Sequence, residues 1–259
     1  MAKYGLLGRN IDYSFSRGFF SEKFALENRT DVYVNLDFRL IEDFIKWFST
    51  QNELRGFNVT IPYKEAIIPY LDALDPVAKT IGAVNTVVIQ SNGRSQQHLT
   101  GYNTDYMGFG KSIDHWYTSN HKRALLLGTG GAAKAIDHAL TARGFEILQI
   151  SRQSKSADTI AKKQAPSINY AELTEDHLKE YPLIVNCTPL GTFPNVDQAP
   201  DLPYHLLGPD NFLYDLIYNP EQTEFLKRGF TAGAKIKNGL QMLELQALAA
   251  WELWQKSIP

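Results

Sequence analysis

Gly128, Gly130 and Ala133 stand at the spacing G-x-G-x-x-A, inside the run Gly128-Thr129-Gly130-Gly131-Ala132-Ala133. Glycine at the first position permits a tight turn, and at the second it lets a pyrophosphate approach the backbone. A small third residue lets the following helix pack closely on a strand. The run follows an apolar stretch, Ala124 to Leu127, and precedes a helix-forming one, Lys134 to Arg143. The spacing alone also occurs at ordinary βα turns. Strand–turn–helix context makes it a dinucleotide site, because the helix start offers free N–H groups and a positive dipole end to phosphates. An NAD site then expects Asp or Glu about twenty residues past the first glycine, on the ribose 2′-hydroxyl. Here the chain reads Ser151-Arg152-Gln153, with no acid. The planar guanidinium of Arg152 suits a 2′-phosphate, with Ser151 as a hydroxyl partner, so NADP is the expected cofactor.

The elements that carry this turn read as an α/β chain. Tyr4 to Leu7, Asp31 to Leu36, Gly56 to Ile61 and Val84 to Gln90 are β-rich, the third stopped by Pro62 and the fourth by a turn at Ser91-Asn92-Gly93. Leu40 to Phe48 places Ile41, Phe44, Ile45 and Phe48 at helical spacing. The alternation suggests βαβ units around a mixed or parallel sheet. A second block starts near residue 122 with the strand before the glycine turn. Gly144 is placed to end the helix, and Phe145 to Ile150, Leu183 to Val185 and Phe212 to Leu216 read as further strands. Gly239 to Gln255 reads as a helix capped by Asn238, with Leu240, Leu243, Ala247, Leu248, Trp251 and Trp254 along one side.

Composition narrows the class. With 259 residues, the chain sits where single cores begin to split into domains. Hydrophobic residues at 44% and charged residues at 21% describe an ordinary globular protein. A formal charge of −2 gives no basic face for nucleic acid. The lone Cys187 allows neither an internal disulfide nor a thiolate metal site, which fits a reducing compartment. The start, Met1 to Gly8, has no apolar run long enough for a signal peptide, and no stretch is apolar enough to span a membrane. A cytoplasmic protein without a metal is expected.

Several further segments, in order, are Tyr13-Ser14-Phe15-Ser16, Asn58-Val59-Thr60-Ile61-Pro62-Tyr63-Lys64, Ile81-Gly82-Ala83-Val84-Asn85-Thr86 and Gly101-Tyr102-Asn103-Thr104-Asp105. After the glycine turn come Asn186-Cys187-Thr188-Pro189-Leu190-Gly191, Tyr214-Asp215-Leu216-Ile217-Tyr218, and Gly239-Leu240-Gln241-Met242-Leu243 with Gln246. Together they resemble the shikimate dehydrogenases over nearly the whole chain. The resemblance implies two domains with a cleft between them. Residues 1–104 with 239–259 would form an N-terminal mixed α/β domain for substrate and catalysis. Residues 105–238 would form a C-terminal Rossmann-like NADP domain.

The activity implied is reversible NADPH-dependent reduction of 3-dehydroshikimate to shikimate, on the route to chorismate and aromatic amino acids, by a monomer or homodimer. Shikimate is a carboxylated cyclohexene with three hydroxyls, so its site should offer many neutral hydrogen bonds. Ser14 and Ser16, two apart on an extended segment, would point the same way and donate to the carboxylate. Thr60, Asn85, Asp105, Tyr218 and Gln246 would bond the ring hydroxyls. Lys64 would be the general acid/base, oriented by Asp105, while also touching substrate. Thr188, Leu216 and Gly239 would join the glycine turn, Ser151 and Arg152 around the cofactor.

The chain departs from the family pattern in places. Arg17-Gly18-Phe19-Phe20 replaces the usual proline and His-Asn beside the serines, and Ser151-Arg152-Gln153 replaces Asn-Arg-Thr. Tyr106 follows the aspartate where glycine is usual, and Lys134 stands where arginine is common. Two other readings stay open: a quinate/shikimate dehydrogenase using NAD, and a non-catalytic NADP-binding sensor. Retention of Ser14, Ser16 and Arg152 argues against the first, and the Lys64–Asp105 pair against the second. A folate-linked dehydrogenase of similar plan would leave the substrate motifs unexplained.

Overall fold

The structure, a computed structural model, describes residues 1–12, 14–91, 97–152 and 166–256. Tyr13, the Asn92-Gly93 turn and Gln153 therefore lie outside the described residues. In chain order the first elements are β1 (Lys3–Gly8), α1 (Phe15–Leu26), β2 (Val32–Asp37), α2 (Ile41–Phe48) and β3 (Leu54–Val59). There follow β4 (Ala73–Leu74), α3 (Pro76–Ile81), β5 (Thr86–Ser91), β6 (Gln97–Tyr102) and α4 (Asp105–Ile113). Then come β7 (Arg123–Leu127), α5 (Gly131–Thr141), β8 (Glu146–Ser151), β9 (Ser167–Asn169), α6 (Glu175–Glu180) and β10 (Leu183–Asn186). The last are β11 (Phe212–Asp215), α7 (Glu224–Thr231), β12 (Lys235–Lys237) and α8 (Leu240–Lys256). The chain divides into two compact units, Met1–Met107 with Gln246–Pro259, and Gly108–Leu245, so the division passes through α4 and α8.

In the first unit six strands form one mixed sheet in the order β2-β1-β3-β5-β6-β4. β1 pairs in parallel with β2 and β3, whereas β5 is antiparallel to both β3 and β6. Successive side chains of a strand point to opposite faces of the sheet, and here helices cover both faces. One face packs Leu7, Phe57, Val59 and Val87 against Phe44 and Phe48 of α2. The other packs Tyr4, Leu6, Tyr33 and Val88 against Phe20 and Phe24 of α1 and Ala247, Trp251 and Trp254 of α8. Trp254 is 1% exposed and donates its indole N–H to the Val87 carbonyl at 3.0 Å. Gly56 makes room for it, since a Cβ there would meet the indole.

The second unit holds six parallel strands in the order β12-β11-β10-β7-β8-β9. The order runs outward in both directions from β7 and β10, so its reversal lies between them. In open α/β sheets that switch point, outside the carboxyl ends of the strands, is where ligands bind. Leu125, Leu127, Ile184 and Leu213 on the central strands are 0% exposed, as expected for a sheet covered on both faces.

Several sequence expectations need correction. Ser14 and Ser16 are not on an extended segment: Ser14 is the N-cap of α1, and Ser16 lies in its first turn. The aromatic residues Phe20 and Phe24, one helical turn apart, bury that helix against the sheet. β4 and β6 join the first sheet beyond the four strands read from sequence. Leu240 and Leu248 are each 38% exposed, so the buried stripe of α8 runs instead through Met242, Gln246, Ala247, Ala250, Trp251 and Trp254. Helix α5 begins at Gly131 rather than Lys134, and Gly144, at φ +79, follows its end. Among the described residues, no helix is long and apolar enough to cross a membrane. No group of three or more His, Cys, Asp or Glu there is placed to hold a metal.

Candidate active site

In the first unit, polar side chains from distant parts of the sequence converge at one end of the sheet face covered by α1 and α8. Lys64 sits in the turn after β3. That turn is pinned from several sides: Tyr63 N–H donates to Thr60 O at 2.8 Å, and the Tyr63 hydroxyl to Phe38 O at 2.6 Å. The Lys64 carbonyl accepts from Val84 N–H at 2.7 Å. With its backbone fixed, the side chain reaches Asp105, and Nζ donates to Oδ2 at 2.7 Å. The pair is largely withdrawn from water, with side chains 16% and 7% exposed.

Burying such a pair costs desolvation and is tolerated when the remaining lone pairs are hydrogen-bonded. Asp105 meets that condition. Its Oδ1 accepts from Asn85 Nδ2 at 2.8 Å, and its N–H is held by Asn103 Oδ1 at 3.1 Å. As the first residue of α4 it also lies at the favourable end of a helix dipole. Asn85 is itself fixed, because its Oδ1 accepts from the backbone N–H of Thr104 at 2.6 Å. Only an oxygen can accept there, which settles the orientation of the amide. Gln246, brought in by α8, places Oε1 3.3 Å from Asn85 Nδ2.

Further along this cluster, Asn58 donates to Thr86 Oγ1 at 3.0 Å and accepts from the Tyr33 hydroxyl at 2.8 Å. Ser16, 7% exposed, hydrogen-bonds to the Tyr33 phenol, and burial pushes that phenol above its ordinary pKa, so it stays a donor. Ser14 differs from all of these: its hydroxyl is buried and has no hydrogen-bond partner among the described residues. An orphaned buried hydroxyl is costly and invites a ligand or water. Thr60 is half-buried beside the same turn. Thus Ser16, Lys64, Asn85, Asp105 and Gln246 belong to one hydrogen-bonded set, with Ser14 and Thr60 on adjoining turns. Tyr33, Asn58, Thr86 and Thr104 are members that sequence reasoning does not name. Asn58, Thr86 and Thr104 lie inside motifs singled out there, but Tyr33 carries no sequence signal beyond its place in a strand. Of the departing residues, Phe20 fills the core and stacks on Tyr33 at 4.6 Å, and Phe19 stacks on Phe15 at 5.6 Å.

The second unit builds a different kind of site. Gly128, at φ +106, turns the chain from β7 toward α5. A Cβ there would come within 3.2 Å of Thr188 Cγ2, so the turn lies against the loop after β10, at the switch point. Gly130 is the N-cap of α5 and supplies no side chain, leaving the amides of Gly131, Ala132 and Ala133 without a capping acceptor. A Cβ on Gly130 would meet nothing within 4 Å, so the backbone is open to an approaching group. Thr129 is half-buried within the turn, and the small Ala133 is 0% exposed under the helix. Ser151 ends β8 with its hydroxyl 3.4 Å from that of Ser167, and Arg152 beside it is exposed.

Thr188 is held by Asn186, whose Oδ1 accepts from its N–H at 3.0 Å and its hydroxyl at 2.6 Å. Leu216 donates its N–H to Asn186 O at 3.1 Å. Gly239 packs directly on Leu216, where a Cβ would meet the carbonyl oxygen at 2.1 Å. Tyr218, half-buried, follows on the same turn. Beneath this turn Asp215 is 0% exposed, and burial pushes its carboxyl group up to about 7 against hydrogen bonds from Thr223, Ile217 and Asn186. Open amides at a helix start, a close-approach glycine and an exposed arginine at the next strand end fit a dinucleotide with a 2′-phosphate.

A family profile described as shikimate dehydrogenase substrate binding domain matches residues 6–87. The NADP(+) shikimate dehydrogenase of Desulforamulus reducens is 38% identical over 264 residues, spanning 96% of this chain and 88% of that one. The shikimate dehydrogenase structure from Aquifex aeolicus superposes with a TM-score of 0.86 at 31% identity, covering 100% of this chain and 94% of that one. A shikimate 5-dehydrogenase from Thermus thermophilus, solved with NADP(H) and shikimate, gives 0.85 at 30% identity, covering 100% and 95%. With similarity of this extent running through both units, the chain belongs to the shikimate dehydrogenase family.

Proposed function

We propose that this chain is an NADP-dependent shikimate dehydrogenase, reducing 3-dehydroshikimate reversibly to shikimate. The reading assigns substrate binding and proton transfer to the first unit and the cofactor to the second. The observation that carries it is the buried Lys64–Asp105 pair at 2.7 Å, set in a cluster of neutral donors and acceptors. Such a cluster matches a polyol ring and sets a lysine ammonium group, oriented by its carboxylate partner, where a proton can be moved.

Bound NADPH supplies the hydride to the carbonyl carbon. Lys64 Nζ delivers the proton to the carbonyl oxygen, and in the oxidative direction it takes that proton back. Asp105 orients the ammonium group and, with Asn85, Thr60 and Gln246, bonds the ring hydroxyls. The buried Ser14 hydroxyl, unpartnered among the described residues, and that of Ser16 take the carboxylate. Tyr218 keeps the hydroxyl contact implied by the family resemblance. Gly128 to Ala133, Thr188, Leu216 and Gly239 hold the dinucleotide, and Ser151 and Arg152 its 2′-phosphate.

Lys64→Ala tests the assignment. General acid/base catalysis is typically worth about 10²–10⁴-fold, so kcat should fall by that range while NADP affinity is unchanged. A variant that keeps more than about a tenth of wild-type kcat, well short of that range, would remove Lys64 from the proton transfer.

A further inference from the structure

The buried carboxyl group of Asp215 has no place in the chemistry above and, among the described residues, no cation against it. Its Oδ1 accepts from Asn186 Nδ2 at 3.0 Å and from Ile217 N–H at 3.0 Å, and its Oδ2 meets the Thr223 hydroxyl at 2.5 Å. Asn186, Asp215 and Thr223 are each 0% exposed. The first of these bonds leads to the crevice, since Asn186 Oδ1 holds both the N–H and the hydroxyl of Thr188, which lies against Gly128. The second fixes the turn after β11, where Ile217 O in turn accepts from Gly239 N–H at 3.0 Å. The third ties that turn to the N-cap of α7. One side chain thus joins the loop that lies against the glycine turn to the turn that follows the next strand, β11.

We propose that Asp215 is a positioning residue for the cofactor: its carboxyl group ties the Thr188 loop to the Leu216–Tyr218 turn, and NADP binds tightly only while that tie is intact and uncharged. The inference rests on the reading that the second unit binds NADP. The groups that face Asp215 are the Cys187 thiol and the Tyr204 phenol, whose own ionisation its charge opposes, and no Lys, Arg or His pairs with it among the described residues. A proton is therefore what neutralises it. An ionised carboxylate here would keep its three hydrogen bonds but would be a buried anion without a counter-charge, in the unit that takes an anionic cofactor, so binding disfavours it. Because burial raises this carboxyl group to about 7, ionisation falls within reach of ordinary assay conditions. Affinity should weaken as the pH rises through neutrality.

The test is the Kd of NADP for the full-length chain without shikimate, from pH 5.5 to 8.5, by calorimetry. Asp215→Asn keeps an acceptor for Ile217 and Asn186 and a donor for Thr223, while removing the charge. It should bind like wild type below pH 6, and its affinity relative to wild type should climb as the pH passes 7. Asp215→Ala loses the tie and should bind roughly ten- to a hundredfold more weakly at every pH. If that variant does not fold, Thr223→Val, which removes the bond to Asp215 and the cap on Leu226 N–H but leaves the other two bonds to Asp215, should still weaken binding several-fold. Wild type and Asp215→Asn with parallel pH profiles would overturn the inference, as would a folded Asp215→Ala, or failing that Thr223→Val, binding as tightly as wild type. Wild type that does not bind NADP at all would instead overturn the functional reading, and this inference with it.

Discussion

The two units build sites by opposite means. In the first, side chains make the site: Lys64, Asp105, Asn85 and Gln246 come from a turn, a helix start, a strand entry and a second helix, and each is bonded to the next. In the second, the central turn is backbone, with Gly128 and Gly130 leaving room and α5 presenting amides. A reaction that moves a proton needs one group at one place, and only a crowded set of side-chain bonds fixes a lysine that well. A pyrophosphate spreads its charge over several oxygens, and a row of amides answers it without any side chain. Damage should accordingly appear as lost turnover in the first unit and as lost cofactor affinity in the second.

The variants that sharpen this contrast run from large effects to small. Asp105→Asn removes the carboxylate that Lys64 donates to, so kcat should fall by about 10²–10⁴-fold with the Kd of NADP unmoved. A parallel loss of NADP affinity would break the contrast. Trp254→Ala empties the α8 side of the first core and leaves the Val87 carbonyl without its partner. A loss of about 3–5 kcal/mol is expected in denaturant unfolding, with shikimate turnover failing before NADP binding does. If both were lost together, the units would not fail separately.

Arg152→Ala should raise the KM for NADP roughly ten- to a hundredfold and leave NAD nearly untouched, because only NADP carries the 2′-phosphate. Equal effects on the two cofactors would point to the pyrophosphate or to folding. Gln246→Ala is the mildest: a lost neutral hydrogen bond predicts a KM for shikimate raised about two- to tenfold, at unchanged melting temperature and NADP affinity. A drop in melting temperature instead would make Gln246 a structural residue of α8.

The same contrast explains what the sequence discloses. Strand, glycine turn and helix lie within a single βα unit, so local spacing is enough to read the start of the second site. The parallel sheet follows, because apolar runs such as Leu125 to Leu127 and Leu183 to Val185 mark buried strands. The first site has no local signature. Lys64 and Asp105 are separated by 41 positions, and Asn85 and Gln246 by 161, so no spacing rule links them, and only the family resemblance drew attention to them. Helix α1 was misread because two serines flanking a phenylalanine look like an alternating strand. What decides its conformation is the burial of Phe20 and Phe24 against Tyr33 and Trp251, contacts formed far along the chain. Leu248 was expected inside, yet the buried arc of α8 is set by where Trp251 and Trp254 dock, and Leu248 falls outside it.

The most direct measurement of the central claim is reduction of the nicotinamide, followed at 340 nm, with shikimate or quinate as substrate and NADP or NAD as cofactor. The account predicts that kcat/KM is highest for shikimate with NADP. Quinate should be slower with either cofactor, and NAD slower with either acid. No reduction in any of the four pairs would contradict it and leave the fold with a binding role alone.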